Sequence, residues 1–509
     1  MKKVLLVFLI SLALYANAQE TACEFKVELP NIIDLVYASD SLGDAGYAFQ
    51  SKSGYEFVYL SSGLTVEKTL FTDRTTYSKG DELEGAVINN DYFTAYLYNR
   101  NHNYIASLTT EKNGNVARYL RPATLEKHEN YLISFSMNGL YYALIVPQNS
   151  NKLKILTFDK GDKIDEHLYD IEMPTFYAEL AANNAFLNRG TKSNVGIEEI
   201  RYDVENNIKS SYAEKKVYHI NGKIYLVFDD PNTTNLIIID PVEHHAVYKK
   251  LNFSLDRGNT NKNKQGNSFM YYNKLFRATM SPEQLNISII DLNAMDMINN
   301  YNVYPEQDIS INNGPVVQEG GSSYGANDKV IKKPEQYFKR VLNSNLAIAA
   351  NKVEGDKYEV EVGSYDETMY GNGGGFGGPG ISMGMGMGGM GMGMGGMGMG
   401  GMGMGGMGMG GMGMGMGGMG YGYPGYYPSS GGRTRINVVY FKTLLDTASL
   451  SHLEGEVPVT LREKINTYEN RNLKNTTSDF VRISPYNNST LLGYYNKQRK
   501  FIVVKFPQP

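Results

Sequence analysis

Between Met383 and Gly420 the chain consists of sixteen methionines and twenty-two glycines, so 38 residues hold two-thirds of its 24 methionines. Thioether sulfurs at Met-x-Met spacing are ligands for soft Cu(I) or Ag(I). The same side chains are flexible, polarisable apolar groups that adapt to many apolar surfaces. Against a metal site, none of the seven histidines lies in the tract and the single cysteine, Cys23, is far away in sequence. Other candidate chemistry is sparse. Gly321-Ser-Ser-Tyr-Gly325 matches the G-x-S-x-G nucleophile pattern at Ser323. That elbow requires a buried strand before it and a helix after it, whereas polar connecting sequence flanks this one. Glu243-His244-His245 is a cluster of metal-ligand residue types, but adjacent side chains diverge and no third ligand follows, so it reads as a solvated turn. Asp159, Asp162 and Asp165 lack the spacing and closing Glu of a calcium loop and read as a charged hairpin turn.

The elements that must position these groups are strands. Tyr (39) and Phe (20) are abundant, and Val, Ile and Thr fill short runs separated by polar turns, the composition of pleated, half-buried surfaces. A strand, turn, second-strand pattern recurs from Tyr55, Asn103, Lys152, Gly196, Asn235, Asn286 and Ile436, and a truncated copy, "KFIVVKFPQP", ends the chain. Turn starts at Ser61, Thr109, Asp159, Asp203, Asp240 and Asp291 are 48, 50, 44, 37 and 51 residues apart. Four-stranded propeller blades repeat at about 40–50 residues.

On that repeat length and strand grammar the chain resembles the β-propeller superfamily. It lacks any Trp, and with it the signatures of WD40 and quinoprotein propellers, and kelch-type double glycines at blade starts are missing too. The expected fold class is all-β: an eight-bladed propeller, with seven blades as the fallback. Its last blade has three strands, and "CEFKVELP" (Cys23 to Pro30) supplies the fourth, removing an open sheet edge. The resemblance implies that catalytic groups, if present, lie near the central channel; Asp34, Asp91, Arg277 and Asp479 are the candidates.

Lys2 and Lys3, the apolar run Val4 to Leu14 and Ala16-Asn17-Ala18 read as a signal peptide. The expected organisation is a signal peptide over 1–18, a first propeller part over 19–370, a low-complexity hairpin tip over 371–432 and a closing part over 433–509. The tip assignment follows from "YEVEVGSYDE" and "RTRINVVYF", two strand-like segments facing each other across the insertion. Glycine content rules out a helix there. Units starting at Met383, Met390, Met397, Met402, Met407 and Met412 are all of odd length, ending at Met419, so any strand would turn its methionines to the opposite face at each unit. Aromatic residues Tyr421, Tyr423, Tyr426 and Tyr427 follow.

The acidic, near-neutral charge favours neither nucleic acid nor an anionic membrane. The expected function is an exported, non-enzymatic binding or scaffold protein of the bacterial envelope, in the periplasm or at the cell surface and associated with the outer membrane, with no cofactor and no transmembrane span. Its Met383 to Met419 and Tyr421 to Tyr427 side chains would contact an envelope or surface protein, an outer-membrane β-barrel among the candidates. Alternatives are a glycoside hydrolase or lyase acting on polysaccharide, soft-metal capture by the Met tract, and neutral low-complexity expansion.

Overall fold

The computed structural model describes residues 20–73, 80–89, 91–114, 117–182, 197–202, 204–257, 263–320, 329–370, 433–473, 481–496, 498 and 500–508. In chain order the strands are β1 (Glu20–Lys26), then β2 (Ile32–Ser39), β3 (Ala45–Ser51), β4 (Gly54–Leu60) and β5 (Val66–Asp73) of sheet I. Sheet II holds β6 (Asp81–Ile88), β7 (Tyr92–Asn99), β8 (Tyr104–Glu111) and β9 (Ala117–Thr124). Sheet III holds β10 (Glu129–Met137), β11 (Leu140–Pro147), β12 (Lys152–Asp159) and β13 (Asp162–Asp170). Sheet IV holds β14 (Glu198–Glu199), β15 (Lys215–Ile220), β16 (Lys223–Asp229), β17 (Thr233–Asp240) and β18 (His245–Asn252). Sheet V holds β19 (Gln265–Tyr271), β20 (Lys274–Met280), β21 (Leu285–Asp291) and β22 (Asp296–Val303). Sheet VI holds β23 (Val316–Gly320), β24 (Lys329–Ile331), β25 (Asn345–Val353), β26 (Lys357–Tyr370) and β27 (Arg433–Asp446), and sheet VII holds β28 (Val481–Tyr486), β29 (Ser489–Tyr495) and β30 (Lys500–Pro507) with β1.

Each sheet is built on an antiparallel meander, to which the parallel strand β14 is added in sheet IV, β23 and β24 in sheet VI and β1 in sheet VII, and inner strands of neighbouring sheets lie against one another, as β2 does on β6 and on β28, β6 on β10, and β19 on β25. This is the architecture of a β-propeller. The middle strands are sandwiched between neighbouring sheets, so β3, β4 and β7 are buried along their whole length. That two-sided burial explains their near-continuous apolar runs. Outer strands such as β5 face solvent and read polar.

Seven sheets are present among the described residues, the fallback number, one fewer than the repeat count of eight. The copy from Gly196 accounts for the difference: among its described residues no hairpin is formed. Only Glu198–Glu199 pair, and in parallel with Lys216 and Val217. The Asn-rich stretch then caps a short helix, Ile208–Ser211, through the Asn207 side chain. Polar residues of this kind bind backbone N–H groups locally and compete with strand pairing. The copy from Ile436 also differs from expectation: after β27 the chain makes one isolated bridge, Leu445 to His452, and the strand that pairs with the outer side of β27 is β23, which lies upstream and is itself flanked by the edge strand β24.

The ring is closed as the strand grammar expects, β1 pairing antiparallel with β30 from Glu20–Lys505 to Lys26–Lys500. Phe25 packs against Phe501 (centroids 5.5 Å apart), Phe49 (6.2 Å) and Tyr47 (6.3 Å), locking the added strand to sheets I and VII.

The strands β26 and β27 pair from Lys357–Asp446 to Tyr370–Arg433. The connection between the second and third strands is two to four residues in the other six sheets; in sheet VI it is 371–432. The pairing of β26 with β27 also outruns both flanking strands, since β25 stops at Tyr365 and β23 at Asn437. A two-stranded ribbon, 367–370 with 433–436, therefore extends beyond the sheet by about 14 Å at about 3.4 Å per residue.

Candidate functional site

Residues 197–214 form an excursion that belongs to no regular blade. It starts beside β15, where burial pushes the Glu198 carboxyl up to about 7 against the opposing pull of Lys216. Glu199 then holds the ring of His219, with Nε2 2.8 Å from Oε1. Phe135 of sheet III stacks on that ring at 4.9 Å. Tyr202 reaches the β19–β20 turn and meets Tyr272 at 5.3 Å. Asn206 exchanges two hydrogen bonds with Asn351: its N–H donates to Oδ1 (2.8 Å) and its carbonyl accepts from Nδ2 (2.7 Å). The helix Ile208–Ser211 descends along sheet VI, and Tyr212 packs on Tyr365 at 4.6 Å. The excursion thus contacts sheets IV, V and VI.

The seam between sheets VI and VII is charged. Glu359 and Glu361 share one face of β26, two residues apart, and Lys442 on β27 is the cross-strand partner of Glu361. Lys442 Nζ lies 2.5 Å from Glu359, 3.1 Å from Glu463 and 3.5 Å from Glu361. Burial, then the neighbouring Glu361, raises Glu359 despite Lys442. Burial also raises Glu205, which accepts a hydrogen bond from the N–H of Arg462 (2.9 Å). Glu319 goes the other way: burial would raise it, but Lys209 and the Tyr440 hydroxyl hold it below the usual carboxylate range. These groups bind the excursion and the helix Leu461–Asn472 to sheet VI. Their arrangement is that of a structural ion-pair network.

The four channel candidates are not brought together. Asp34 is buried on β2 and pairs with Arg482 of β28 (3.2 Å), joining the first and last sheets. Arg277 is fully buried between sheets IV and V, with Nη1 2.6 Å from Asp229 Oδ1. Asp91 is exposed in the β6–β7 turn, and Asp479 lies outside the described residues. The three aspartates of the β12–β13 region diverge: Asp159 accepts from Tyr92, Asp162 faces Arg118 and Asp165 faces His244, as a charged turn requires.

Glu243 and His244 sit in the β17–β18 turn and His245 begins β18. His244 stacks on His167 of sheet III, with centroids 4.3 Å apart. Sequence reasoning missed this partner because it lies on the neighbouring sheet. Among the described residues no group of three or more His, Cys, Asp or Glu side chains is arranged to hold a metal. Cys23 is half-buried on β1, and burial pushes its thiol up to about 11. The Gly321 to Gly325 motif and the tract from Met383, Met390, Met397, Met402, Met407, Met412 and Met419 to Tyr421, Tyr423, Tyr426 and Tyr427 lie outside the described residues.

A recess of about 180 Å³ opens where the β10–β11 and β15–β16 turns meet the excursion, lined by Ser136, Asn138, Tyr202, His219, Asn221 and Gly222 together with Met137. No signal in the sequence separates these residues from ordinary turn residues.

No protein-family model matches the chain, and no curated protein matches it. Solved structures similar to it include the Dos1 propeller (12% identity, 67% of this chain and 83% of that one, TM-score 0.27). Another is a subtype N10 neuraminidase-like protein of A/little yellow-shouldered bat/Guatemala (9% identity, 68% and 95%, TM-score 0.26). A third is prolyl oligopeptidase B from Galerina marginata (9% identity, 69% and 39%, TM-score 0.29), of whose length this chain spans about two-fifths.

Proposed function

We propose that this protein is an exported, non-enzymatic propeller that binds a protein of the bacterial outer membrane or cell surface, an outer-membrane β-barrel included, through the apolar Gly/Met sequence that joins β26 to β27. The observation that carries the reading is the β26–β27 ribbon. A connection of two to four residues elsewhere in the ring becomes 371–432 at this one position, and its two ends are held side by side at the tip of paired strands. Anchoring both ends of an adaptable segment lowers the ordering cost of binding relative to a free tail. Methionine supplies contact without a fixed shape requirement, and the tyrosines that follow supply rings with polar tips. Export rests on the basic, apolar and small-residue sequence of the first eighteen residues. No helix among the described residues is long and apolar enough to cross a membrane.

The test is affinity capture from envelope extracts with the full chain and with a variant in which Asn-Gly replaces 371–432. That two-residue turn suits a hairpin whose strands already pair. The full chain is expected to retain an envelope protein that the variant loses while its melting temperature is unchanged. Equal capture by both proteins overturns the reading.

A further inference from the structure

Among the described residues Lys216 is the one lysine that is fully buried. It shares a face of β15 with Tyr218, and that face meets sheet V, where Tyr218 packs on Phe269 with centroids 6.1 Å apart. Asn267 and Phe269 share a face of β19, so the same seam brings Lys216 to Asn267. Lys216 Nζ donates to Asp229 Oδ2 at 3.2 Å and to Asn267 Oδ1 at 3.3 Å. The Asn267 side chain is buried and its amide is oriented from both ends. Nδ2 donates to the carbonyls of Tyr212 (3.0 Å) and Ala213 (3.2 Å), which turns Oδ1 to the lysine. Cγ is one C=O bond, about 1.23 Å, from Oδ1, so it lies within about 4.5 Å of Nζ. Reacting atoms in near-attack arrangements are about 3–3.5 Å apart, a gap that a small swing of the lysine chain closes.

Two cations share the Asp229 carboxylate here, Arg277 Nη1 lying 2.6 Å from its Oδ1. Burial lowers the Lys216 amine from its ordinary range in spite of Asp229, and the Arg277 charge adds to the fall. A desolvated amine beside another cation is an activated lysine nucleophile. Burial would raise Asp229, but Lys216 and Arg277 hold it low, so it remains an ionised proton acceptor against Nζ. We propose that Lys216 and Asn267 join in an intramolecular amide bond that cross-links β15 of sheet IV to β19 of sheet V. Nζ attacks Cγ, Asp229 Oδ2 takes a proton from Nζ and passes it to Nδ2, and the Cγ–Nδ2 bond breaks with its electron pair on nitrogen. Ammonia leaves. One C–N bond forms and one breaks, nothing is oxidised or reduced, and no co-reactant enters. Asp229 keeps Arg277 as its counter-charge, so the bond removes a buried ammonium without leaving the carboxylate unpaired. With Cys23 as the single cysteine, no intrachain disulfide is available, and the amide supplies a covalent tie between residues 51 apart in sequence.

The test is tandem mass spectrometry of the full chain, purified folded, then denatured and digested with trypsin. In either state trypsin cuts after Lys215, Lys223, Lys264 and Lys274. In an unjoined chain it also cuts after Lys216 and releases 217–223 and 265–274 apart. In a joined chain 216–223 and 265–274 travel as one product, lighter than their sum by one ammonia. The joined product is expected from the unaltered chain and is expected to vanish in Lys216→Met and in Asn267→Ala. Because the bond is read in the unaltered chain, the result stands whether or not either variant folds. Recovery of 217–223 and 265–274 only as separate peptides overturns the proposal. So does an ammonia deficit confined to one peptide, as ring closure at Asn221-Gly222 would give, or a joined product that persists in either variant.

Discussion

Asp229 illustrates how single residues hold the ring together. It is fully buried, yet it accepts hydrogen bonds from Thr234 Oγ1 (2.7 Å), Ser268 N (2.8 Å) and Ser268 Oγ (2.8 Å) and faces both Arg277 and Lys216. Burial alone would raise its carboxyl; the two cations and the hydroxyl donors hold it below the usual range. Removing one partner of such a set leaves an uncompensated buried charge, so Arg277→Met is expected to cost about 3–5 kcal/mol in urea unfolding. Glu84 is the opposite case. Burial in the seam with Tyr131 and Tyr141 pushes its carboxyl up to about 7. A carboxyl raised on folding contributes stability below its unfolded pKa and loses it as pH rises through the folded value. Glu84→Gln is therefore expected to raise the melting temperature at about pH 8 and to leave it unchanged near pH 5. The sequence offered Arg277 only as a candidate channel residue, and its role in a buried ion pair between sheets was not legible. Its carboxylate partner lies 48 residues away on another sheet, and no local pattern encodes that approach.

At the element scale, strands were legible and helices were not. Two-sided burial writes long apolar runs, and turns such as Asn221-Gly222 carry their left-handed chemistry in the residue types. The helix Leu461–Asn472 carries a reciprocal capping box between Thr460 and Glu463, and Pro334 opens the helix Pro334–Val341. Both are start signals that a search for strand alternation passes over. The closing strand β1 is the element on which ring closure depends. Phe25→Ala, which empties the space between Phe49, Tyr47 and Phe501, is expected to cost about 3–5 kcal/mol. It should also speed hydrogen exchange along β30 more than along β20; equal change in both strands would deny β1 a specific role in closure.

For the whole molecule, the buried carboxylates set the pH dependence. Burial raises Glu56, Glu82, Glu205, Glu214 and Glu359, and pushes Glu84, Glu198 and Glu469 up to about 7. Asp229 and Glu319 are held low by cations, with Tyr440 also serving Glu319. Raised groups favour the fold on the acidic side and lose that contribution as pH climbs from about 5 through about 7. Depressed groups contribute above their unfolded values and lose that contribution as pH falls below about 4. The melting temperature is therefore expected to peak near pH 4–5 and to decline towards pH 8.5 at constant ionic strength. The repeat length and the strand grammar made the all-β propeller legible at this scale. The number of sheets was not, because one repeat-like stretch folds as the excursion across sheets IV to VI. The recess was not legible either, since it exists only where that excursion meets two turns.

The central claim, that the apolar side chains of the Gly/Met segment make the contact, is tested most directly by changing the sixteen methionines from Met383 to Met419 to serine. This keeps every glycine and the full length. The account predicts that capture of the envelope protein falls to background while the melting temperature of the ring is unchanged. Undiminished capture by the serine variant would contradict it.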